Sequence, residues 1–206
     1  MKGLLLKDWY MLLKYGKAYM FICIVFAAVS LFGNGNTFFV MYPMVFAGLI
    51  PVTLIAYDER SGWMSYSGTF PYSRKQIVSV KYIYAFAIWA AAALLMFAAQ
   101  MVSRHTGSGA GLSYMFLPAA AVGLVPPALM LPIVFMLGSE KGRIAYMGVI
   151  ILICAMIPLL SIGAENTAAV SIPAQAAVLA AVPASLILFA ASWLISIKVF
   201  ERREYI

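Results

Sequence analysis

The chain alternates long apolar runs with short polar stretches, a pattern typical of a protein that crosses a membrane several times. A helix needs about 20 predominantly apolar residues to cross a bilayer, and interfacial flanks can supply part of that length. An even number of spans would leave both termini on one side, with residues 18–206 forming one membrane domain. The pattern predicts an all-α integral membrane protein with six transmembrane helices, at residues 18–32, 38–56, 82–102, 114–137, 144–161 and 175–199.

Residues 1–17 predict a separate amphipathic helix, an elbow ahead of the membrane domain. At 100° per residue, Trp9 and several leucines gather on one side, whereas Lys7, Asp8 and Lys14 lie largely opposite. Such a helix lies flat in the membrane interface, and Lys7, Trp9 and Lys14 are its expected interfacial residues. No cleavage site followed by polar sequence is visible, so we expect this segment to be retained.

Residues 57–81, YDERSGWMSYSGTFPYSRKQIVSVK, form the longest stretch that cannot lie in hydrocarbon. The six charged residues and the helix signals of this stretch indicate an ordered loop between the second and third spans. Asp58 and Glu59 favour the start of a short helix, because carboxylates are stabilised at the positive end of the helix dipole. Trp63 and Tyr66 would then lie three residues apart on one apolar face.

The second half of this loop predicts a break and then a new helix. Pro71 interrupts the first helix, since proline lacks an amide donor. Ser73 and Gln76 have the spacing of a capping box, in which each side chain accepts a hydrogen bond from the backbone amide of the other residue. Arg74 and Lys75 then lead into the third span. Two interpretations stay open: a surface that docks a partner, or a solvated loop whose cations only fix topology.

Composition supports the membrane assignment. Hydrophobic residues make up 65% of the chain, only 10% are charged, and the mean hydropathy is +0.96. A soluble domain usually carries roughly 25% charged residues. The net charge of +7 does not indicate nucleic-acid binding, because the cations lie at the ends of spans. Cys23 and Cys154 each lie in an apolar run and predict neither a disulfide nor a metal site.

The distribution of lysine and arginine predicts the orientation of the protein. With six spans, 13 of the 14 cations fall on one side and only Arg104 falls on the other. Segments that stay in the cytoplasm are enriched in these two residues. Both termini and the 57–81 loop are therefore expected in the cytoplasm.

The sequence offers little catalytic chemistry. It contains no G-x-x-x-x-G-K-[ST] phosphate-binding loop, so any ATP hydrolysis is expected in a partner subunit. No charged residue lies in the middle of a predicted span, which disfavours an ion-coupled transporter. His105 has no metal-ligating neighbours in the sequence, and Ser61, Ser65 and Ser67 have no partnering base. We therefore predict no metal site and no catalytic residue.

Prolines interrupt several of the predicted spans, and four of them lie within residues 114–137. A proline frees a backbone carbonyl inside a helix, and we expect neighbouring helices to satisfy these carbonyls. Hinging of the bundle at the prolines is the alternative.

The amphipathic first helix, the six spans and the loop YDERSGW…TFPYSRKQIVSVKY resemble the small permeases of type-2 ABC exporters, such as those of bacterial peptide and antimicrobial-peptide exporters. In that family, a coupling helix after the second span docks in a groove of a separate ATPase subunit. The short outer loops of this chain depart from the larger members. By resemblance, the interface with the ATPase would comprise Asp58, Glu59, Arg60, Gly62, Trp63, Tyr66, Pro71, Ser73, Arg74 and Lys75.

The resemblance implies a permease subunit of an ATP-driven exporter in a bacterial plasma membrane. The chain would pair with a second permease copy and with cytoplasmic ATPase subunits, which would hold ATP and Mg²⁺, so no cofactor is expected in this chain. An uncharged interior rich in methionine and aromatic residues favours an amphipathic or hydrophobic cargo, either a peptide or a lipid-like molecule. The alternatives are a non-transporting assembly or sensory subunit and, less favoured, an intramembrane enzyme.

Overall fold

Helices make up nearly all of the described structure. The computed structural model of the protein describes residues 2–32, 38–63, 67, 72–105, 113–145, 147–148 and 174–202. No strand occurs in these ranges, so the prediction of an all-α protein is confirmed. A short helical run at residues 139–145 accompanies six longer helices: α1 Lys2–Tyr15, α2 Lys17–Phe32, α3 Phe38–Arg60, α4 Arg74–His105, α5 Ser113–Leu137 and α6 Ala174–Arg202.

Four helical stretches among the described residues are long and apolar enough to cross a membrane: Phe39–Arg60, Arg74–Val102, Phe116–Leu137 and Ala180–Glu201. They coincide with the second, third, fourth and sixth predicted spans. The first predicted span coincides with α2, which has only 16 residues. It is long enough to cross a membrane only together with α1, and the two helices are bent by 64°. The fifth lies almost wholly outside the described residues. The number of six spans therefore stays a prediction.

The centre of the bundle is formed by α3 and α5. In each of these two helices, 61% of the apolar stretch is buried, compared with 28% in α4 and 22% in α6. At Gly48 of α3, an added Cβ would lie 2.7 Å from Pro127 Cδ and 3.0 Å from the carbonyl oxygen of Gly123, both on α5. Small residues let membrane helices approach this closely. The two central helices are therefore in direct backbone-level contact.

A proline in α5 frees a carbonyl that α6 satisfies. Because Pro132 has no amide, the carbonyl oxygen of Ala128 cannot accept its usual helical hydrogen bond. The hydroxyl of Ser192 donates to that oxygen at 2.5 Å. The Tyr82 hydroxyl lies 2.7 Å from the hydroxyls of both Ser192 and Ser196, so the network joins α4, α5 and α6. The prediction that neighbouring helices satisfy such carbonyls is confirmed at this position.

Polar contacts gather the ends of α3, α4, α5 and α6 at one end of the bundle, which we call the basic end. The guanidinium of Arg74, at the start of α4, donates to the carbonyl oxygen of Glu201, near the end of α6, at 2.9 Å. The carboxylate of Glu59, in the last turn of α3, accepts a hydrogen bond from the backbone amide of Ser139, just after α5, at 2.6 Å. That this end faces the cytoplasm stays a prediction. Exposed cations surround these contacts: Arg60, Arg74, Lys75, Lys141, Arg143 and Lys198.

Candidate functional site

The acidic residues at the start of the 57–81 loop belong to the end of α3. The amide of Ser61 donates to the carbonyl oxygen of Tyr57 and the amide of Gly62 to that of Glu59, both at 3.0 Å, and Gly62 ends the helix with a φ of 69°. The prediction that Asp58 and Glu59 begin a helix is therefore wrong. The helix dipole disfavours carboxylates at this end, so specific partners must stabilise them.

Asp58 belongs to a buried group of four charged residues, which we call the charge cluster: Lys7, Asp8, Asp58 and Lys81. Lys81 Nζ lies 2.6 Å from Asp58 Oδ2 and 2.8 Å from Asp8 Oδ2. Lys7 Nζ lies 2.7 Å from Asp58 Oδ1. The side chains of Asp8, Asp58 and Lys81 are at most 3% exposed, whereas that of Lys7 is 28% exposed. The cluster thus joins α1, α3 and α4 through their charged side chains.

The charge cluster is electrically neutral, with two cations facing two carboxylates. Removing an ion from water costs several kcal/mol, which ion pairing and hydrogen bonds must offset. Burial, followed by the charge of Lys81, lowers the pKa of Lys7, while the hydrogen bond and charge of Asp58 and the charge of Asp8 oppose that shift. Because every member is paired, losing any one leaves an uncompensated charge in a buried place.

An exposed tryptophan indicates the depth at which the charge cluster is expected. Trp193 of α6 is 37% exposed, and its indole nitrogen donates to the hydroxyl of Ser79 on α4 at 3.2 Å. Tryptophan favours the boundary between headgroups and hydrocarbon. Lys81 lies two residues further along α4, which is about 3 Å deeper at the rise of an α-helix. We therefore expect the cluster near the edge of the hydrocarbon layer, where unpaired charges are costly.

The inward face of α1 carries Asp8 between two leucines. Leu4, Asp8 and Leu12 lie one turn apart, and all are buried. The placement of Asp8 on an exposed polar face is therefore wrong, because Lys81 pairs with it inside the bundle. Lys14 is exposed, and Lys7 belongs to the charge cluster; the interfacial position of this helix stays a prediction. Large apolar side chains form its outward face: Leu6, Trp9, Tyr10 and Leu13.

Trp63 connects the loop to the charge cluster. Its ring is half-buried against the main apolar core, and Lys7 Nζ lies 4.1 Å from the ring centroid. An ammonium over an indole face is an attractive contact, worth about 0.5–1 kcal/mol when exposed and more when desolvated. Tyr66 and Pro71 lie outside the described residues. Whether Trp63 and Tyr66 share a face stays a prediction.

The return into α4 agrees with the sequence. The backbone amide of Ser73 donates to Gln76 Oε1 at 3.2 Å, and the amide of Gln76 donates to Ser73 Oγ at 3.3 Å. The predicted capping box is thereby confirmed, since α4 begins at Arg74, directly after Ser73. The apolar stretch of α4 also begins at Arg74, eight residues before the predicted start of the third span at residue 82. Lys75 Nζ lies 3.6 Å from Glu201 Oε1, and because both side chains are exposed this pair contributes little to stability.

The sequence-predicted site residues fall into two groups. Asp58 is buried and paired inside the protein, and Glu59 is held by Ser139, so neither carboxylate presents itself freely to a partner. The exposed members of the predicted interface, with Trp63 half-exposed beside them, are Arg60, Gly62, Ser73, Arg74 and Lys75. Among the described residues no group of three potential metal ligands occurs.

Sequence reasoning missed the charge cluster. One signal was available: Asp58 follows the second predicted span and Lys81 directly precedes the third, so an antiparallel pair of helices places them at similar depth. Asp8 gave no such signal, because its partner lies 73 residues away.

One comparison with known proteins found a match. Residues 3–201 match the family of ABC-2 family transporter proteins. Neither the curated proteins nor the solved structures gave a match.

Proposed function

Since the chain belongs to the ABC-2 family of transporter proteins, we propose that it is the transmembrane permease subunit of an ATP-driven exporter. Family membership over nearly the whole chain is the observation that carries this proposal. The four apolar helices agree with it, because a permease is a multi-pass membrane protein. In this proposal ATP and Mg²⁺ belong to a separate cytoplasmic ATPase subunit, and a second permease copy completes the transporter.

The basic end is the part of the chain that docks the ATPase. Its centre is the end of α3, where Arg60 and Gly62 are exposed and Trp63 is half-buried. The charge cluster connects this end to α1 and α4. A displacement of the end of α3 on ATPase binding would therefore also move these two helices. Asp58 acts in this proposal as a positioning residue, and Trp63 acts as the anchor.

The proposed orientation and cargo are based on the charge and the apolar surface of the chain. Thirteen of fourteen cations would lie in the cytoplasm of a bacterial cell, together with both termini. The described helices expose large apolar side chains, among them Phe97 and Met101 of α4 and Ile187 of α6. Such surroundings suit an amphipathic or hydrophobic cargo, either a peptide or a lipid-like molecule.

Co-purification tests the proposal. The tagged full chain, expressed in its native host, is expected to recover an ATP-binding protein from detergent. The complex should hydrolyse ATP, and the permease alone should not. Trp63→Ala should lower recovery, because truncating a buried interface aromatic commonly costs about 2 kcal/mol or more. Trp9→Ala is the matched control, since Trp9 lies on the outward face of α1. Failure of the wild-type chain to recover any ATP-binding protein would favour the assembly or sensory alternative.

A further inference from the structure

The line along which α4 and α6 meet, which we call the seam, carries polar contacts near the basic end. The indole nitrogen of Trp193, an exposed residue of α6, donates to the hydroxyl of Ser79 on α4 at 3.2 Å. Closer to the ends of the two helices, Lys75 Nζ lies 3.6 Å from Glu201 Oε1, and both of these side chains are exposed. The two contacts therefore follow the seam from the indole ring toward the basic end.

Three cations lie around Glu201 at this end of the seam. The guanidinium of Arg74 donates to the backbone carbonyl oxygen of Glu201 at 2.9 Å, and Lys75 lies beside its carboxylate. Lys198 is exposed and precedes Glu201 by three residues, a spacing that makes two side chains neighbours on a helix surface. Three positive charges against one negative charge give this group a net charge of +2. The group is therefore complementary to an anion.

The separation of these cations from Trp193 indicates their depth in the membrane. Tryptophan favours the boundary between headgroups and hydrocarbon, so we expect Trp193 and Ser79 at that boundary. Lys75 lies four residues from Ser79 and Lys198 five residues from Trp193, both toward the basic end, which is about 6–8 Å at the rise of an α-helix. The headgroup region on each side of a bilayer is about 5–8 Å thick. Both ammonium groups are therefore expected within the headgroup region, at the level of lipid phosphates.

On the other side of Trp193 the seam exposes apolar side chains. Phe86 of α4 contacts Phe189 of α6, with ring centroids 6.4 Å apart, and is still 43% exposed. Ile83, one turn before Phe86, and Leu186, two turns before Trp193, are exposed as well. Side chains of this kind pack favourably against an acyl chain. The seam thus combines a cationic end with an apolar stretch, as an anionic phospholipid requires.

We propose that the seam between α4 and α6 binds an anionic phospholipid, with Lys75 and Lys198 contacting its phosphate and Phe86 contacting an acyl chain. This site goes beyond the proposed function, because it needs no ATPase. A soluble partner could meet the two lysines but not Phe86, which lies seven residues, about 10 Å, beyond Ser79 toward the hydrocarbon. The bound lipid would connect the two helices whose apolar stretches are the least buried of the four.

Native mass spectrometry of the full chain in detergent tests this site. Phosphatidylglycerol is the anionic probe and phosphatidylcholine the zwitterionic control, and the wild type should bind the first lipid more tightly. The variant Lys75→Gln/Lys198→Gln should bind phosphatidylglycerol roughly 25-fold more weakly, since each cation near an anionic surface contributes roughly fivefold. Both side chains are exposed, so the melting temperature without lipid should stay close to that of the wild type. Lys141→Gln/Arg143→Gln is the matched control, because it removes two exposed cations from the run after α5, and it should bind normally.

Four results would overturn the inference. Equal affinity of the wild type and the Lys75→Gln/Lys198→Gln variant for phosphatidylglycerol would remove the two lysines from the site. An equal loss in the control variant would indicate a general effect of charge at the basic end. Equal binding of the two lipids by the wild type would leave only an apolar contact. Displacement of the lipid by inorganic phosphate at the same concentration would assign the lysines to a free anion. All four results are obtained without an ATPase, so the proposed function is tested separately.

Discussion

Lys81 of α4 lies 2.6 Å from Asp58 of α3, and the side chain of each is only 3% exposed. The same ammonium also reaches Asp8 of α1 at 2.8 Å. One lysine therefore connects three helices through its ion pairs. It does so in a chain in which only 10% of the residues are charged.

The first prediction concerns this lysine. Lys81→Met should destabilise the protein by about 3–5 kcal/mol, because it leaves Asp8 and Asp58 buried with Lys7 as their only cation. Thermal unfolding in detergent measures the effect. Lys75→Met is the control, since the exposed Lys75–Glu201 pair should contribute no more than about 1 kcal/mol. Similar melting temperatures for the two variants would contradict the assigned role of the cluster.

The second prediction uses the carbonyl freed by Pro132. Ser192→Ala should cost about 1–3 kcal/mol, because the buried Ala128 oxygen loses its donor. In a Pro132→Ala background, residue 132 regains an amide that can donate to the same oxygen. The cost of Ser192→Ala should then be smaller, and a double-mutant cycle of melting data measures the difference. Additive effects would show that the hydroxyl does not replace the missing amide bond.

The third prediction tests the contact between the central helices. Gly48→Ala places a methyl group 2.7 Å from Pro127 Cδ, and overpacking of this kind typically costs about 1–3 kcal/mol. Gly148→Ala is the matched control, because a Cβ there meets no atom of the described residues within 4 Å. The melting temperature should fall for the first variant only. An unchanged melting temperature for Gly48→Ala would mean that α3 and α5 can separate without loss.

The fourth prediction is topological. A reporter fused after Arg203 or inserted near Gly68 should report a cytoplasmic position, and one near Gly109 should report an external position. The asymmetry of thirteen cations against one motivates this expectation. Alkaline phosphatase and fluorescent-protein fusions at the three sites measure it. A cytoplasmic signal near Gly109 would exclude the six-span arrangement.

Local pattern predicted the helices and the capping box well. Apolar runs of sufficient length predicted all four spans, and the spacing of Ser73 and Gln76 predicted their reciprocal hydrogen bonds. These features depend on residues close together in sequence, where chain geometry determines the contacts. The predicted third span starts at residue 82, whereas the apolar helical stretch starts at Arg74, because Lys81 is paired and buried inside the helix.

Long-range pairing limited the prediction of the site. The contacts from Lys81 to Asp8 and from Glu59 to Ser139 span 73 and 80 residues, and no local pattern encodes which acid meets which donor. The helix dipole alone predicts Asp58 and Glu59 at a helix start, because the sequence does not show which residues pair with them. Once those partners are known, carboxylates at the end of α3 are stable despite the dipole.

The close contact between α3 and α5 restricts where a cargo can travel. At Gly48 the backbone of one helix touches the backbone and proline ring of the other, which leaves no lumen between the two most buried helices of the described structure. Under the proposed function, a cargo would therefore pass along the outer surface of the bundle. The residues that discriminate between cargoes are then to be sought among side chains that a lone subunit exposes, such as Phe97 of α4 or Ile187 of α6, rather than in its core.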